Sequence, residues 1–209
     1  TAKKTVDTIF FTSSNNLTIE FQWWESLVNW DVVKYVVEYA NIKAQHLQKN
    51  VTFALVTNLT LMDEEKLKYL IDNNVQISTS LDWDEELHNF NRTFKEWNSF
   101  ENVTYWIKRI NEEYEKRWID TKVWALLTVT KKTLSKHKEI IDTYINLWLD
   151  WIFLRPLNPY WFAAADLEKL WYSWDEYIDF YKKSLDYILE LNKNWTNFKE
   201  MLSSIYLMK

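Results

Sequence analysis

With 209 residues, 47% of them hydrophobic and 26% charged, the chain is long enough for one sizeable domain, and no apolar run reaches the roughly 18 residues a membrane span needs. A net charge of −5 on interspersed acidic and basic residues excludes a basic stripe for nucleic acid and a polybasic patch for a membrane surface. There is no cysteine, hence no disulfide framework or thiolate metal site within these residues, and without a secretory signal the expected location is cytoplasmic.

Taken in order, residues 1–12 carry apolar groups at Val6, Ile9 and Phe10 and predict a short helix that starts in mid-domain. Asn16 to Gln22 is strand-like, and Asn29-Trp30-Asp31 opens a helix whose apolar face runs Val33, Val36, Val37, Ala40, Ala44 and Leu47. That face is core. Val51 to Val56 predicts a buried strand ending on Thr57-Asn58, Asp63 to Ile71 a helix, and Val75 to Leu81 a short strand ending on Asp82. A polar, charged segment follows from Trp83 to Asn98, then a helix near Val103 to Arg117, a strand near Lys122 to Val129 and a helix from Thr133 to Leu147. Trp151 to Leu154 is the fifth strand, ending on Arg155-Pro156. Beyond it lie an aromatic loop, Asn158 to Phe162, and two amphipathic helices, about Trp174 to Leu191 and Asn197 to Leu207. Five strands, each followed by helix and with no hairpin signal, predict a parallel βα sheet or barrel. No linker composition marks a boundary, so the expectation is a single core domain over 1–209 truncated at both ends, with βα units over 1–157 and the aromatic loop and C-terminal helices over 158–209.

Two composition values are abnormal: about 7% glycine, roughly 15 residues, is usual for this size, whereas here there is none, and there are 14 tryptophans. Trp118, Trp148 and Trp195 each follow a helix-like run, where the chain commonly turns through the left-handed conformation that glycine adopts without steric cost. The absence of glycine favours reading them as substitutions for it.

Glu25, Asn58, Asp82 and Arg155 come at or just beyond strand C-termini, where βα folds hold ligands. Polar residues at such positions also cap strands and helices routinely. His88 lies in the polar segment and reads as an ordinary solvent-facing histidine, while His46 and His137 sit in helices with no clustered partner. No nucleophile elbow or glycine-rich phosphate loop is present.

The strand-end motifs together resemble the radical S-adenosylmethionine (SAM) enzymes, in particular the peptide- and protein-modifying branch of the anaerobic sulfatase maturases and SPASM-type maturases. Ile19-Glu20-Phe21-Gln22-Trp23-Trp24-Glu25-Ser26-Leu27 resembles that branch's Gly-Gly-Glu-Pro-Leu-Leu, with both glycines as tryptophan and the proline as serine. Val56-Thr57-Asn58-Leu59-Thr60-Leu61 resembles its Thr-Asn-Gly-Thr-Leu, and Ser80-Leu81-Asp82-Trp83 its Ser-Leu-Asp-Gly. His88-Asn89-Phe90-Asn91-Arg92 resembles its His-Asp-x-x-Arg. Leu154-Arg155-Pro156-Leu157-Asn158-Pro159-Tyr160-Trp161 resembles strand six of the maturases of His-Xaa-Ser peptide-modification systems.

The resemblance implies an α/β fold, a partial (βα)6 barrel represented by strands two to six. It implies SAM and a [4Fe–4S] cluster as cofactors, the Cys-x-x-x-Cys-x-x-Cys cluster loop being expected upstream of Thr1. It carries SAM contacts onto Trp23, Trp24, Glu25 and Ser26, with Asn58 at the next strand end. Ser80 and Asp82 are placed near the ribose and substrate side, Arg92 on the SAM carboxylate as a planar fork, and Arg155 on adenine or substrate. The implied reaction is reductive cleavage of SAM to a 5′-deoxyadenosyl radical that abstracts hydrogen from a peptide or protein, with a reductant for the cluster as further partner and no nucleic acid or membrane. Without the cluster cysteines the fragment is expected to be inactive alone. The glycine positions depart from the pattern. A gene whose stop-type codon is decoded as glycine, but read as tryptophan, accounts for Trp23, Trp24, Trp83, Trp118, Trp124, Trp148, Trp161 and Trp171, with Trp30 and Trp174 genuine. Two other readings compete: a degenerate βα domain that binds a protein partner through the aromatics of 160–162 and does no chemistry, and a barrel hydrolase using Glu25 and Asp82 as paired carboxylates.

Overall fold

In a computed structural model, residues 1–22, 25–93, 98–158 and 167–207 are described, and they form two compact units, Thr1–Thr79 and Ser80–Lys209. Trp23, Trp24, Trp97 and Trp161, with the rest of the aromatic loop from Pro159 to Phe162, lie outside the described residues.

In the first unit the order is α1 (Ala2–Ile9), β1 (Asn16–Phe21), a 3-10 turn (Ser26–Asn29), α2 (Trp30–Leu47), β2 (Asn50–Val56), α3 (Glu64–Asp72) and β3 (Val75–Ser80), the last strand ending at the unit boundary. All the pairings are parallel. β1 runs beside β2 from Asn16↔Asn50 to Phe21↔Leu55, and β2 beside β3 from Phe53↔Val75 to Val56↔Ser78. The strands alternate because successive side chains point to opposite faces, so Leu17, Ile19, Phe53, Leu55, Val75 and Ile77 are buried, as are Val33, Val36, Val37, Ala40 and Ala44 on the predicted face of α2. α3 begins where Asp63 accepts the Lys66 N–H at 2.8 Å, satisfying one of the donors that a helix start leaves open.

The second unit contains α4 (Glu85–Asn91), α5 (Ser99–Lys116), β4 (Trp124–Thr128), α6 (His137–Asn146), β5 (Trp151–Arg155), α7 (Leu167–Leu170), α8 (Trp174–Lys193), β6 (Lys199–Glu200) and α9 (Met201–Leu207). β4 pairs in parallel with β5 from Leu126↔Phe153 to Thr128↔Arg155, and β5 with β6 at Trp151↔Lys199 and Ile152↔Glu200. α5 is capped by Asn98 on the Glu101 N–H at 3.2 Å, and α8 by a reciprocal box of Ser173 and Glu176.

Three differences from the sequence reading have local causes. The polar segment after Asp82 contains α4, nucleated by Asp84 accepting the Leu87 N–H at 2.9 Å; with Leu87 and His88 as its buried residues, it shows little apolar periodicity. α6 starts at His137 rather than Thr133, because the Thr133 hydroxyl closes a turn by donating to the Thr130 carbonyl and accepting the Thr130 N–H. A sixth strand, β6, lies where helix was predicted. The Asn192 side chain pairs with both backbone groups of Phe198 at 2.7 Å and holds the chain extended into Lys199–Glu200.

The expected left-handed helix exits are present. Trp118, Trp148 and Trp195 have φ of 58°, 59° and 68°, and Trp83 has 63°. Trp124 and Trp171 are not among the positive-φ residues.

Candidate functional site

Each unit gathers polar side chains at the C-terminal ends of its strands. In the first, β1 ends at Phe21 and the chain reaches Glu25, whose side chain caps the 3-10 turn by accepting the Leu27 N–H at 2.9 Å. The same carboxylate accepts the Thr57 hydroxyl at 2.7 Å and, through Oε2, the Asn58 N–H at 2.7 Å, both just beyond the end of β2. The parallel register brings these strand ends together, so one carboxylate ties two adjacent loops. Asn58 in turn accepts the Thr60 N–H at 2.9 Å, a local turn that fixes its side chain. Ser26 Oγ, next to Glu25, is buried with no hydrogen-bond partner among the described residues, and so is Thr79 Oγ1 on β3. Glu25 and Asn58, singled out from sequence, are thus brought together; the role of Thr57 as a further Glu25 partner was not anticipated, although its place in the Thr57-Asn58 strand end was the available signal.

The second unit is organised by Asp82, which is only 1% exposed. Its carboxylate accepts Arg92 Nε at 2.8 Å and Arg92 Nη2 at 3.3 Å, the Thr128 N–H at 3.2 Å and Asn91 Nδ2 at 3.4 Å. The two-pronged contact is the geometry that makes arginine–carboxylate pairs strong. The planar fork predicted for Arg92 is therefore set on Asp82, and Asp82 spends its carboxylate inside the protein. Arg155, at the end of β5, donates Nη2 to the Thr128 hydroxyl at 3.2 Å. Desolvation of its guanidinium lowers its pKa, the Arg92 cation adds to the effect and Asp82 opposes it. Arg155 thus lies within electrostatic range of the Arg92–Asp82 pair. Tyr144 is fully buried and donates to the Leu81 carbonyl at 2.6 Å, pinning the residue before Asp82; burial raises its pKa well above the usual phenol value.

His88 overturns the solvent-facing reading, being 1% exposed. Its Nδ1 accepts the Asp82 N–H at 3.1 Å, so the ring proton is on Nε2, which faces Ser99 Oγ at 3.2 Å. Burial lowers its pKa to about 4, with Asp82 raising it and Arg92 lowering it to smaller extents. An unfolded histidine binds its proton near pH 6.5. The His88 contribution to stability is therefore intact above pH 6.5 and is lost as the pH falls from 6.5 towards 4, by up to about 3 kcal/mol. Urea unfolding of the protein and of His88→Asn, whose amide oxygen can accept the same N–H, is expected to show the advantage of the histidine shrinking over that range; a constant difference between pH 7 and pH 4 contradicts a buried neutral imidazole.

Among the described residues no group of three or more His, Asp or Glu side chains is placed to hold a metal ion, and no helix is long and apolar enough to cross a membrane. No family model and no curated protein matches the chain. Solved structures do. The chain is 20% identical to anSMEcpe with bound AdoMet and Kp18Cys peptide, with a TM-score of 0.79 over 95% of this chain and 54% of that one. It is 15% identical to SuiB of Streptococcus suis bound to precursor peptide SuiA, with a TM-score of 0.60 over 91% of this chain and 40% of that one. Against SuiB bound to S-adenosylmethionine the TM-score is 0.60 at 14% identity, over 96% of this chain and 43% of that one. The chain therefore spans about half the length, or less, of the structures it matches. Likeness at these identities shows the fold, an α/β arrangement of parallel strands alternating with helices that the chain shares with these structures.

Proposed function

We propose that this chain forms part of a radical SAM enzyme that modifies a peptide or protein. The observation that carries the reading is the Glu25 carboxylate, fixed between the ends of β1 and β2 in a fold that matches AdoMet-bound anSMEcpe. SAM, bound with a reduced [4Fe–4S] cluster, supplies a 5′-deoxyadenosyl radical for hydrogen abstraction.

The residues of the first unit fit SAM. Among the described residues Glu25 accepts three donors, whereas a carboxylate offers about four lone-pair sites. The acceptor position these three leave, on the Oε2 that takes the Asn58 N–H, is assigned to the methionyl ammonium. Ser26, whose buried hydroxyl has no partner among the described residues, is the adjacent polar group, and Asn58 presents the loop that Glu25 anchors. By motif resemblance alone, Arg92 is assigned to the SAM carboxylate through the N–H groups that Asp82 does not take, Arg155 to adenine or substrate and Ser80 to the ribose side. Asp82 acts as a positioning residue for Arg92, since its own oxygens are occupied. No residue of this chain fits the cluster, because there is no cysteine to supply thiolates; its ligands are assigned to sequence upstream of Thr1. A peptide substrate is supported by the peptides bound to anSMEcpe and SuiB.

The test uses the full-length gene product, reconstituted with iron and sulfide and supplied with SAM and a reductant. It is expected to carry a Cys-x-x-x-Cys-x-x-Cys segment before Thr1 and to release 5′-deoxyadenosine. A full-length chain with no such segment, or one that assembles a cluster and releases none, overturns the proposal.

A further inference from the structure

Ten of the fourteen tryptophans lie in the described residues, and backbone conformation divides them. Trp83, Trp118, Trp148 and Trp195 have φ between 58° and 68°; Trp30, Trp106, Trp124, Trp151, Trp171 and Trp174 are not among the positive-φ residues. For a bulky side chain a positive φ is an outlier, because Cβ meets the neighbouring carbonyl.

Three of the four have the same hydrogen-bond surroundings. At each helix exit the residue after the tryptophan donates back to the carbonyl five positions earlier: Ile119 to Tyr114 at 3.0 Å, Leu149 to Tyr144 at 3.1 Å and Thr196 to Leu191 at 3.3 Å. The tryptophan itself donates three positions back, Trp118 to Glu115, Trp148 to Ile145 and Trp195 to Asn192. The bond across five positions, with a left-handed residue before its donor, marks the helix termination that glycine usually fills. Side-chain burial gives no reason for tryptophan there: Trp118 is 94% exposed, Trp195 95% and Trp148 54%. Leu59 is the instructive contrast, since it too has a positive φ, 62°, but its side chain is fully buried and its packing offsets the strain. The other class behaves as tryptophan does. Trp106 is 8% exposed within α5, and Trp30 stands edge-on to Tyr69 at 5.2 Å.

We infer that glycine occupies positions 83, 118, 148 and 195 of this protein as its source cell makes it, through a genetic code in which the triplet written here as tryptophan inserts glycine. The inference goes beyond the radical SAM reading and does not depend on it. It places 195 with 83, 118 and 148 on backbone grounds, and gives no backbone reason for glycine at 124 or 171. The codons come first: the four positions are expected to share UGA, and positions 30 and 106 to be UGG. Mass spectrometry of the protein purified from its source then reads the residues directly. The tryptic peptides 118–122 and 194–199 are each expected to be lighter by the difference between an indolylmethyl group and a hydrogen, with tryptophan retained at 106. UGG codons at the four positions, or intact tryptophan in either peptide, overturn the inference.

Discussion

Asp82→Ala is expected to lower the unfolding free energy by about 2–3 kcal/mol, at or below the low end of the scale for breaking a buried ion pair, because Arg92 keeps part of its contact with water. Asp82 is 1% exposed, and its removal strands the Arg92 guanidinium and the Thr128 N–H at the end of β4. Arg92 and Thr128 are partly buried, so the donors left without an acceptor regain only part of their hydration and the cost exceeds that of an ordinary surface pair. Asp82→Asn is expected to fall between wild type and the alanine variant, because its amide oxygen can replace only one of the two carboxylate oxygens, while its N–H₂ faces the donors of the other. Urea unfolding at pH 7 reads both. A loss below about 1 kcal/mol in the alanine variant would show that Asp82 does not organise this region.

The second large effect has the opposite sign. Trp118→Gly, Trp148→Gly and Trp195→Gly together are expected to stabilise the chain as written by about 3 kcal/mol. Each left-handed non-glycine residue carries roughly 1–3 kcal/mol of strain, partly offset by the greater freedom glycine gives the unfolded chain. The three exits share no hydrogen-bond partner, so their effects should nearly add. For a chain of this size the gain corresponds to a rise of roughly 6–12 °C in melting temperature. Trp106→Gly is the control: that indole is buried in α5, and its loss is expected to cost about 3–5 kcal/mol. Thermal melts that place all four substitutions on the destabilising side contradict the assignment of the two classes.

The amount of the molecule legible in the sequence follows from the range of the interactions. The five longer strands are apolar or β-branched runs with period-two burial, and α2 is a periodic face, so both are written in neighbouring residues. The left-handed exits were also local, because a missing glycine is visible wherever a helix pattern stops. The interiors of the two polar clusters were not. Thr57 and Asn58 reach Glu25 across more than thirty residues, and Tyr144 reaches Leu81 across sixty-three. Nothing in the spacing of a single sequence encodes such partners. His88 shows the same limit: its neighbours in sequence are polar, and its burial comes from Ser99, Phe100 and the Asp82 backbone. β6 is two residues long and depends on one asparagine, Asn192, too short a signal for periodicity to detect.

SAM cleavage by the full-length protein, compared with Glu25→Gln, tests the central assignment most directly. The substitution keeps the shape of the side chain but removes the charge and turns an amide N–H₂ towards the donors that Glu25 accepts. With the cluster absorbance unchanged, 5′-deoxyadenosine formation is expected in the wild-type protein and to fall on the order of tenfold or more in the variant, the factor that corresponds to about 1.4 kcal/mol. Equal rates in the two proteins, or no product from a wild-type protein with an intact cluster, would contradict a SAM-holding role for Glu25.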